Sequence, residues 1–260
     1  MKKLAKTLLA LSLALAPSLL IAPGQSQAQE EQELIIFAAA SMTETLEEIQ
    51  PLFEEANPGV KLTFNFDSSG TLQDQIEAGA PSDVFISAAQ KQMNELEEAD
   101  LIQADSRVDL LENKVVLAVA EGNPAGIDSF DDLTSDKVQT LALGNEDVPV
   151  GQYSQELLTN LGIFEVIQEK VTYGSNVKEV TTWVDEGVAE CGIIYQTDAK
   201  AAGLEVVDQA GNDLIQTPVI YPAAAVKSSQ NPDLAQAFID FLQEDPALEI
   251  FEAAGFTGVK

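Results

Sequence analysis

Histidine is absent from the 260 residues, and cysteine occurs once, at Cys191. Without histidine the chain cannot build a Ser-His-Asp or Cys-His catalytic arrangement, and it lacks the commonest protein ligand of transition metals. A single cysteine excludes an intrachain disulfide. Because Cys191 lies in an apolar, strand-like stretch, we expect a buried free thiol.

Basic residues are also scarce: 13 Lys and Arg stand against 43 Asp and Glu, for a formal net charge of −30. A surface this acidic repels nucleic acid and anionic membranes, so neither is an expected partner. It offers no long-range attraction to an anionic ligand either. Any anion site would therefore have to work through short-range dipoles and hydrogen bonds.

Long apolar runs are missing except near the N-terminus. A basic start, the apolar residues 8–22 and the small residues of Ser-Gln-Ala at 26–28 predict a cleavable signal peptide over residues 1–28. Pro17 and Pro23 interrupt this run, which disfavours the alternative of a membrane anchor. The prediction is an exported, periplasmic protein without membrane insertion after cleavage. Loss of Lys2, Lys3 and Lys6 takes the charge from −30 to −33.

Two strand-to-helix turns carry the first sign of a binding site. The apolar residues 34–39 run into Ser41, and Glu44 follows three positions later, which is the pattern of a capping box. An alternating strand at 60–66 likewise runs into Asp67, Ser68, Ser69, Gly70 and Thr71, with a helix from about Thr71. Each turn alone is explained equally well as an ordinary helix start.

The order of these elements places both turns at one edge of a sheet. Strand–helix alternation predicts parallel strands, whose carboxyl ends meet where ligands collect. Helix N-termini there offer unpaired N–H groups and a positive dipole end to an anion. We therefore expect Ser41 and the pair Ser68 and Ser69 to face one crevice, with the carboxylate of Asp67 unfavourably close to any bound anion.

The remaining elements predict a second α/β unit over residues 114–216, with helix starts after Val150 and Asn176. An apolar extended segment from residue 217 and two further helices return to the first unit. The predicted organisation is lobe 1 from 29–113 and 217–260, and lobe 2 from 114–216. Two lobes joined by two crossovers leave a cleft that can close by hinge motion.

Several motifs lie along the chain from Phe37 to Phe256. They are F-A-A-A-S at 37–41, S-S-G-T-L at 68–72, Q-I-E-A-G-A-P-S-D-V-F-I-S-A at 75–88, V-P-V-G at 148–151, G-I-I-Y-Q-T-D-A at 192–199, Y-P at 221–222 and G-F at 255–256. Together they resemble the periplasmic molybdate-binding proteins of ABC importers. The resemblance implies a two-lobed, type II periplasmic binding protein fold, each lobe a mainly parallel sheet with flanking helices and the ligand in the inter-lobe cleft.

The same resemblance implies the site and the partners. The oxyanion would be held by the hydroxyls of Ser41 and Ser69, the backbone N–H groups of Val150 and Val177, and the hydroxyl of Tyr195. The implied ligand is molybdate or tungstate, with no cofactor, no catalytic residue and no direct metal–protein ligand. The implied partner is the membrane permease of an ABC importer, served by a monomer.

Three other functions stay open at this point. The fold could bind sulfate, phosphate or ferric ion, the last of which favours clustered tyrosines and carboxylates. It could be the sensing module of a receptor, although no second domain is present. An exported hydrolase would need Lys178 as the base for Ser41, and the chain has no G-x-S-x-G motif.

Overall fold

The computed structural model describes residues 31–259, so the signal peptide predicted at residues 1–28 lies outside the described residues. Within the described range, no helix combines the length and apolar character that a membrane span requires. The strands are β1 (Gln32–Ala39), β2 (Val60–Asp67), β3 (Val84–Ile86), β4 (Val108–Asn113), β5 (Val115–Val119), β6 (Leu141–Gly144), β7 (Val171–Gly174), β8 (Cys191–Tyr195), β9 (Glu205–Gln209), β10 (Val219–Ala225) and β11 (Thr257–Gly258). The helices are α1 (Thr43–Ala56), α2 (Ser69–Glu77), α3 (Gln90–Glu98), α4 (Pro149–Asn160), α5 (Val177–Asp185), α6 (Gln196–Ala202), α7 (Pro232–Phe241) and α8 (Asp245–Ala254).

The strands form two sheets. The first has the order β11-β4-β10-β3-β1-β2, and the second has the order β7-β6-β8-β5-β9. Helices α1, α2, α3, α7 and α8 contact the first sheet, while α4, α5 and α6 contact the second. We call these layers lobe 1 and lobe 2. The chain passes from lobe 1 to lobe 2 between β4 and β5, and returns between β9 and β10.

Both sheets are mixed, which corrects the prediction of mainly parallel sheets. Strand β1 is parallel to β2 and β3, and β6 is parallel to β7 and β8, as strand–helix alternation requires. Strand β10 is antiparallel to β3 and β4, and β5 is antiparallel to β8 and β9. The antiparallel strands are those next to the crossovers. A strand that follows a covering helix enters the sheet at one end. A strand that arrives from the other lobe enters at the opposite end and therefore runs antiparallel to its neighbours.

Strand β4 is an element that the sequence pattern did not predict. The structure has two strands here, separated by Lys114, one in each sheet. The pairing with β10 shifts register so that Leu110 is an extra residue in β4, and Leu110 and Leu111 are both buried. A bulge of this kind breaks the alternation by which a strand is recognised in a sequence.

The core of lobe 1 is built from both ends of the described chain. Helix α1 buries Leu46, Ile49 and Phe53. The ring of Phe53 packs edge-on against Phe238 and Phe241 of α7, with centroid distances of 5.1 and 5.3 Å. This packing holds the C-terminal helices against the β1–α1 unit and so fixes the position of Ser41.

Candidate functional site

A small cavity lies between the lobes at the carboxyl ends of β1, β2 and β8. Its volume is about 10 Å³, which is room for about one water molecule in the lobe arrangement seen here. Pockets for drug-sized ligands usually measure about 300–1,000 Å³, so this space excludes organic ligands of that size. It is lined by Ala39, Ala40, Ser41, Asp67, Ser68, Ser69, Ala88, Val148, Pro149, Val177 and Tyr195.

Ser41 is buried and lies 2.9 Å from Tyr221, measured between Oγ and Oη. Tyr221 in turn accepts a hydrogen bond from Nδ2 of Asn113 at 3.2 Å. The amide orientation of Asn113 is set by its Oδ1, which accepts the N–H of Lys114 at 2.8 Å. Tyr221 accepts from Asn113 with one lone pair, and either hydroxyl of the Ser41–Tyr221 pair can be the donor in the bond between them. When Tyr221 donates, Ser41 is the acceptor and keeps its proton for a ligand.

The capping box predicted from Ser41 and Glu44 is not formed. Ser41 lies inside a 3-10 turn over Ala40–Met42, and α1 starts after it at Thr43 without a side-chain cap. The Glu44 carboxylate binds Lys178 instead. The hydroxyl of Ser41 is therefore not used to stabilise the helix start, which leaves it available to the cavity.

Ser69 is fully buried and is the first residue of α2, two positions earlier than the predicted start near Thr71. Ser68 is the N-cap, and its Oγ accepts the N–H of Thr71 at 3.1 Å. The Oγ of Ser69 accepts the N–H of Ala88 at 2.9 Å, so its own proton is also free for a ligand.

The N–H of Gly70 does not contribute to the anion site that the sequence suggested there. It donates to the carbonyl oxygen of Asp147, at 3.1 Å, across the cleft in lobe 2. This backbone contact joins the first turn of α2 to the loop before α4. The lobes therefore touch directly beside the cavity.

The two lobe 2 helix starts lie on the opposite wall. Pro149 opens α4 and carries no N–H, so the N–H of buried Val150 is the first of that helix. Val148 and Pro149 line the cavity, and Val150 follows them in the first turn. Val177 lines the cavity as the first residue of α5, whose N-cap Asn176 accepts the N–H of Glu179. First-turn N–H groups have no partner within their own helix.

Tyr195 completes this wall at the end of β8. It is 1% exposed, and its hydroxyl donates to the carbonyl oxygen of Ala88 at 3.4 Å. Burial raises the pKa of Tyr195 well above its usual value, so the phenol remains a neutral donor. The structure thus brings Ser41, Ser69, Val177 and Tyr195 to one cavity, with Val150 one residue behind its lining.

Asp67 lines the cavity, but its carboxylate is turned into its own loop. Its Oδ1 accepts the N–H of Ser68 at 2.8 Å, and Nδ2 of Asn176 lies 3.5 Å from the same oxygen. These contacts hold the charge by local hydrogen bonds and link β2 to the N-cap of α5.

No lysine or arginine is among the residues that line the cavity. The nearby Lys178 forms ion pairs with Glu44 and Asp198, at 2.7 and 3.0 Å. Burial alone would lower the pKa of Lys178, but the two carboxylates outweigh it and raise the pKa above the usual value. A lysine held protonated in this way does not suit the general base that the hydrolase alternative requires.

Asp198 is buried, and burial raises its pKa from 3.8 to about 6 although Lys178 opposes this shift. Its ionisation therefore lowers stability as the pH rises from about 4 to 6. As the pH rises through that window, the free energy of unfolding of Asp198→Asn should increase relative to that of the unmodified protein, by up to about 3 kcal/mol. Denaturant unfolding of both proteins between pH 4 and 7 measures this. A stability difference that does not change with pH would contradict it.

Three residues of the site were not predicted as site residues. Tyr221 and Asn113 orient Ser41, and Ala88 contacts both Ser69 and Tyr195 through its backbone. Tyr221 carried a signal in the sequence, since a tyrosine precedes proline in the extended segment that returns to lobe 1. Asn113 and Ala88 had none, because their roles depend on partners distant in the chain.

Two lobes, a small cavity between them and neutral donors at helix starts define a solute-binding protein of the two-lobed α/β class. The chain belongs to the family described as bacterial extracellular solute-binding protein, whose model matches residues 34–257. This confirms the predicted two-lobed fold.

Relatives of named function are similar to this protein over most of the chain. The molybdate-binding protein ModA of Escherichia coli strain K12 is 36% identical over 88% of this chain and 90% of its own. ModA of Haemophilus influenzae is 32% identical over 99% of each chain. The solved periplasmic molybdate-binding protein of Azotobacter vinelandii has the same fold, with a TM-score of 0.78 and 23% identity over 87% of this chain and 100% of its own. The resemblance seen in the sequence motifs is thereby confirmed.

Proposed function

We propose that this protein binds molybdate, and tungstate as well, and delivers the ion to the membrane permease of an ABC importer. It does so as a monomer in the periplasm after removal of residues 1–28. The observation that carries the proposal is the convergence of Ser41, Ser69 and Tyr195, with the start of α5, on a cavity that has no cationic side chain. The similarity to the molybdate-binding ModA proteins supports the same ligand.

Neutral donors are sufficient for a dianion. Molybdate is fully ionised at neutral pH and needs only donors around it. A hydrogen bond to a charged group contributes about 1.5–3 kcal/mol, so several converging donors give tight binding. The proton of Ser69 is available because its hydroxyl accepts the N–H of Ala88, and that of Ser41 is available when Tyr221 donates to it. The dipoles of the helix starts add to this attraction.

We further propose that residues 29–113 with 217–260, and residues 114–216, move as two rigid bodies. The ion would enter the open cleft, and closure would exclude water and strengthen each hydrogen bond. Discrimination from sulfate would come from the size of the cavity, because sulfate is smaller than molybdate and carries the same charge. Tungstate is nearly the size of molybdate and would bind as well.

Phosphate and ferric ion fit the cavity less well. A phosphate that keeps one proton needs an acceptor, but Ser69 already accepts the N–H of Ala88, and Ser41 already shares a hydrogen bond with Tyr221. Ferric sites favour tyrosinate and carboxylate groups. Burial raises the pKa values of Tyr195 and Tyr221 well above their usual value, which opposes formation of tyrosinate.

Calorimetric titration of the mature, ligand-stripped protein with molybdate, tungstate, sulfate and phosphate tests the proposal. We expect one-to-one binding of molybdate and tungstate, and no heat with the other two. Tight binding of sulfate with no preference for molybdate would mean that sulfate is the ligand. No heat of binding with molybdate or tungstate would overturn the proposal.

Removal of either serine hydroxyl is expected to weaken molybdate binding at least about tenfold, since one charge-assisted hydrogen bond is lost. Ser41→Ala leaves Tyr221 bound to Asn113, whereas Ser69→Ala also leaves the N–H of Ala88 without its partner. Ser69→Ala should therefore lower the unfolding temperature as well. The exposed Ser228 provides the control: Ser228→Ala should match the unmodified protein in calorimetry. An unchanged affinity in Ser41→Ala or Ser69→Ala would remove that residue from the site.

A further inference from the structure

Three charged side chains form a cluster that spans the lobes beside the cavity. Lys178, in the first turn of α5 in lobe 2, donates from Nζ to both carboxylate oxygens of Glu44 in α1 of lobe 1, at 2.8 and 2.7 Å. The same Nζ lies 3.0 Å from Oδ1 of Asp198 in α6 of lobe 2. Two members of the cluster therefore belong to one lobe, and Glu44 alone belongs to the other.

Each member is placed close in the chain to a residue that lines the cavity. Glu44 follows Ser41 by three residues, Lys178 follows Val177 directly, and Asp198 follows Tyr195 by three residues. A ligand that draws Ser41 toward α5 brings Glu44 toward Lys178 at the same time. Opening of the cleft would separate Glu44 from Lys178 and leave the Lys178–Asp198 pair intact.

The surroundings of Asp198 explain why Lys178 stays in place. The Asp198 side chain is 0% exposed, and its carboxylate has no hydrogen bond of good geometry within residues 31–259. A buried carboxylate without compensation is strongly unfavourable, so Lys178 is held against it. The ammonium group is thereby directed to the lobe boundary before Glu44 arrives.

We propose that Glu44, Lys178 and Asp198 form an ionic latch that slows release of the bound ion by holding the lobes closed. Glu44 and Lys178 make the contact that breaks on opening, and Asp198 is a positioning residue that orients Lys178. The inference rests on the proposed closure of the lobes around an oxyanion. The latch gives a role to Asp198, which does not line the cavity.

Stopped-flow measurement of molybdate release tests the latch. The fluorescence of Trp183, the only tryptophan and a residue of α5, can report release. Glu44→Gln keeps the size of the side chain and removes its charge. We expect release about threefold to fivefold faster at low salt, as for an ion pair open to solvent on one side. The difference should shrink as salt is added, because screening weakens the pair.

The matched control is Glu55→Gln. Glu55 is an exposed carboxylate of the same helix, eleven residues further on, which is about 16 Å along the axis. That distance exceeds the screening length of about 8–10 Å, so release should equal that of the unmodified protein. An equal acceleration in both variants would mean that the overall negative charge acts, and would overturn the latch.

A second pair of variants tests the role of Asp198. Asp198→Asn should speed release in the unmodified background and have no further effect in a Glu44→Gln background, since the contact that it positions is already lost. Lys178→Met leaves a buried carboxylate unpaired and can reduce folding, so it is combined with Asp198→Asn. Additive effects of Glu44→Gln and Asp198→Asn on the release rate would overturn the positioning role.

The outcomes separate the two proposals. If the unmodified protein binds none of the oxyanions, the proposed function fails. If it binds molybdate and Glu44→Gln releases it at the unmodified rate at every salt concentration, only the latch fails.

Discussion

Gly70→Ala is expected to weaken molybdate binding by about 10- to 100-fold while leaving each lobe folded. A Cβ at this position would lie 3.0 Å from the carbonyl carbon of Asp147 and closer still to its oxygen. Asp147 belongs to the other lobe, so the overlap can be relieved only by opening the cleft. Overpacking of this kind costs about 1–3 kcal/mol. Here it would destabilise the closed state relative to the open state and so weaken binding.

Calorimetric affinity and thermal unfolding of the ligand-free protein measure the two halves of this prediction. Unfolding should be unaffected or slightly improved, because alanine is a better helix former than glycine. Gly258→Ala is the control: the nearest atom to its Cβ would be 3.7 Å away, and neither affinity nor stability should change. Unchanged molybdate affinity in Gly70→Ala would show that binding does not require this approach of the lobes.

Gly151→Ala is expected to destabilise the protein itself by about 3 kcal/mol or more. Its Cβ would lie 2.6 Å from the carbonyl carbon of Gly144 and closer to the carbonyl oxygens of Gly144 and Asn145. These atoms belong to the turn between β6 and α4 within lobe 2, so no motion of the lobes can relieve the overlap. For a chain of this length the loss corresponds to a fall of about 6–12 °C in the unfolding temperature.

Thermal unfolding without ligand distinguishes the two glycines. Both lie in the first turn of a helix that starts beside the cavity, and both receive the same substitution. Gly70→Ala should unfold like the unmodified protein, whereas Gly151→Ala should unfold early. A Gly151→Ala variant of normal stability would mean that the β6–α4 turn moves freely, and would weaken the assignment of Val150 to a rigid wall of the site.

Much of the candidate site could be located from the sequence because its parts are local. Apolar periodicity indicated β1, β2 and β8, and serine or asparagine near a strand end indicated helix starts close to those of α2 and α5. Parallel strands end at one edge, so two such turns imply a shared crevice. The roles of Ser41, Ser69, Val150, Val177 and Tyr195 as ligand donors came from the resemblance to the molybdate-binding family and remain predictions until variants are measured.

The local pattern around Ser41 led to an error for a physical reason. The capping box requires the serine to precede the helix, but a 3-10 turn occupies Ala40–Met42 and α1 begins at Thr43. Ser41 and Glu44 each have a stronger distant partner, Tyr221 and Lys178, which lie 180 and 134 residues away in the chain. Tertiary contacts of this kind override a weak local preference.

By itself the sequence determined the order of strands and helices, their division into two α/β units and the presence of small-residue turns at the strand ends. These features follow from side-chain periodicity and turn chemistry, which act over a few residues. The tertiary structure decided the mixed sheets, the orientation of Ser41 by Tyr221 and Asn113, the latch residues around Lys178 and the two glycine contacts. Each of these depends on which surfaces meet when the lobes pack, and that is settled by contacts between residues far apart in the chain.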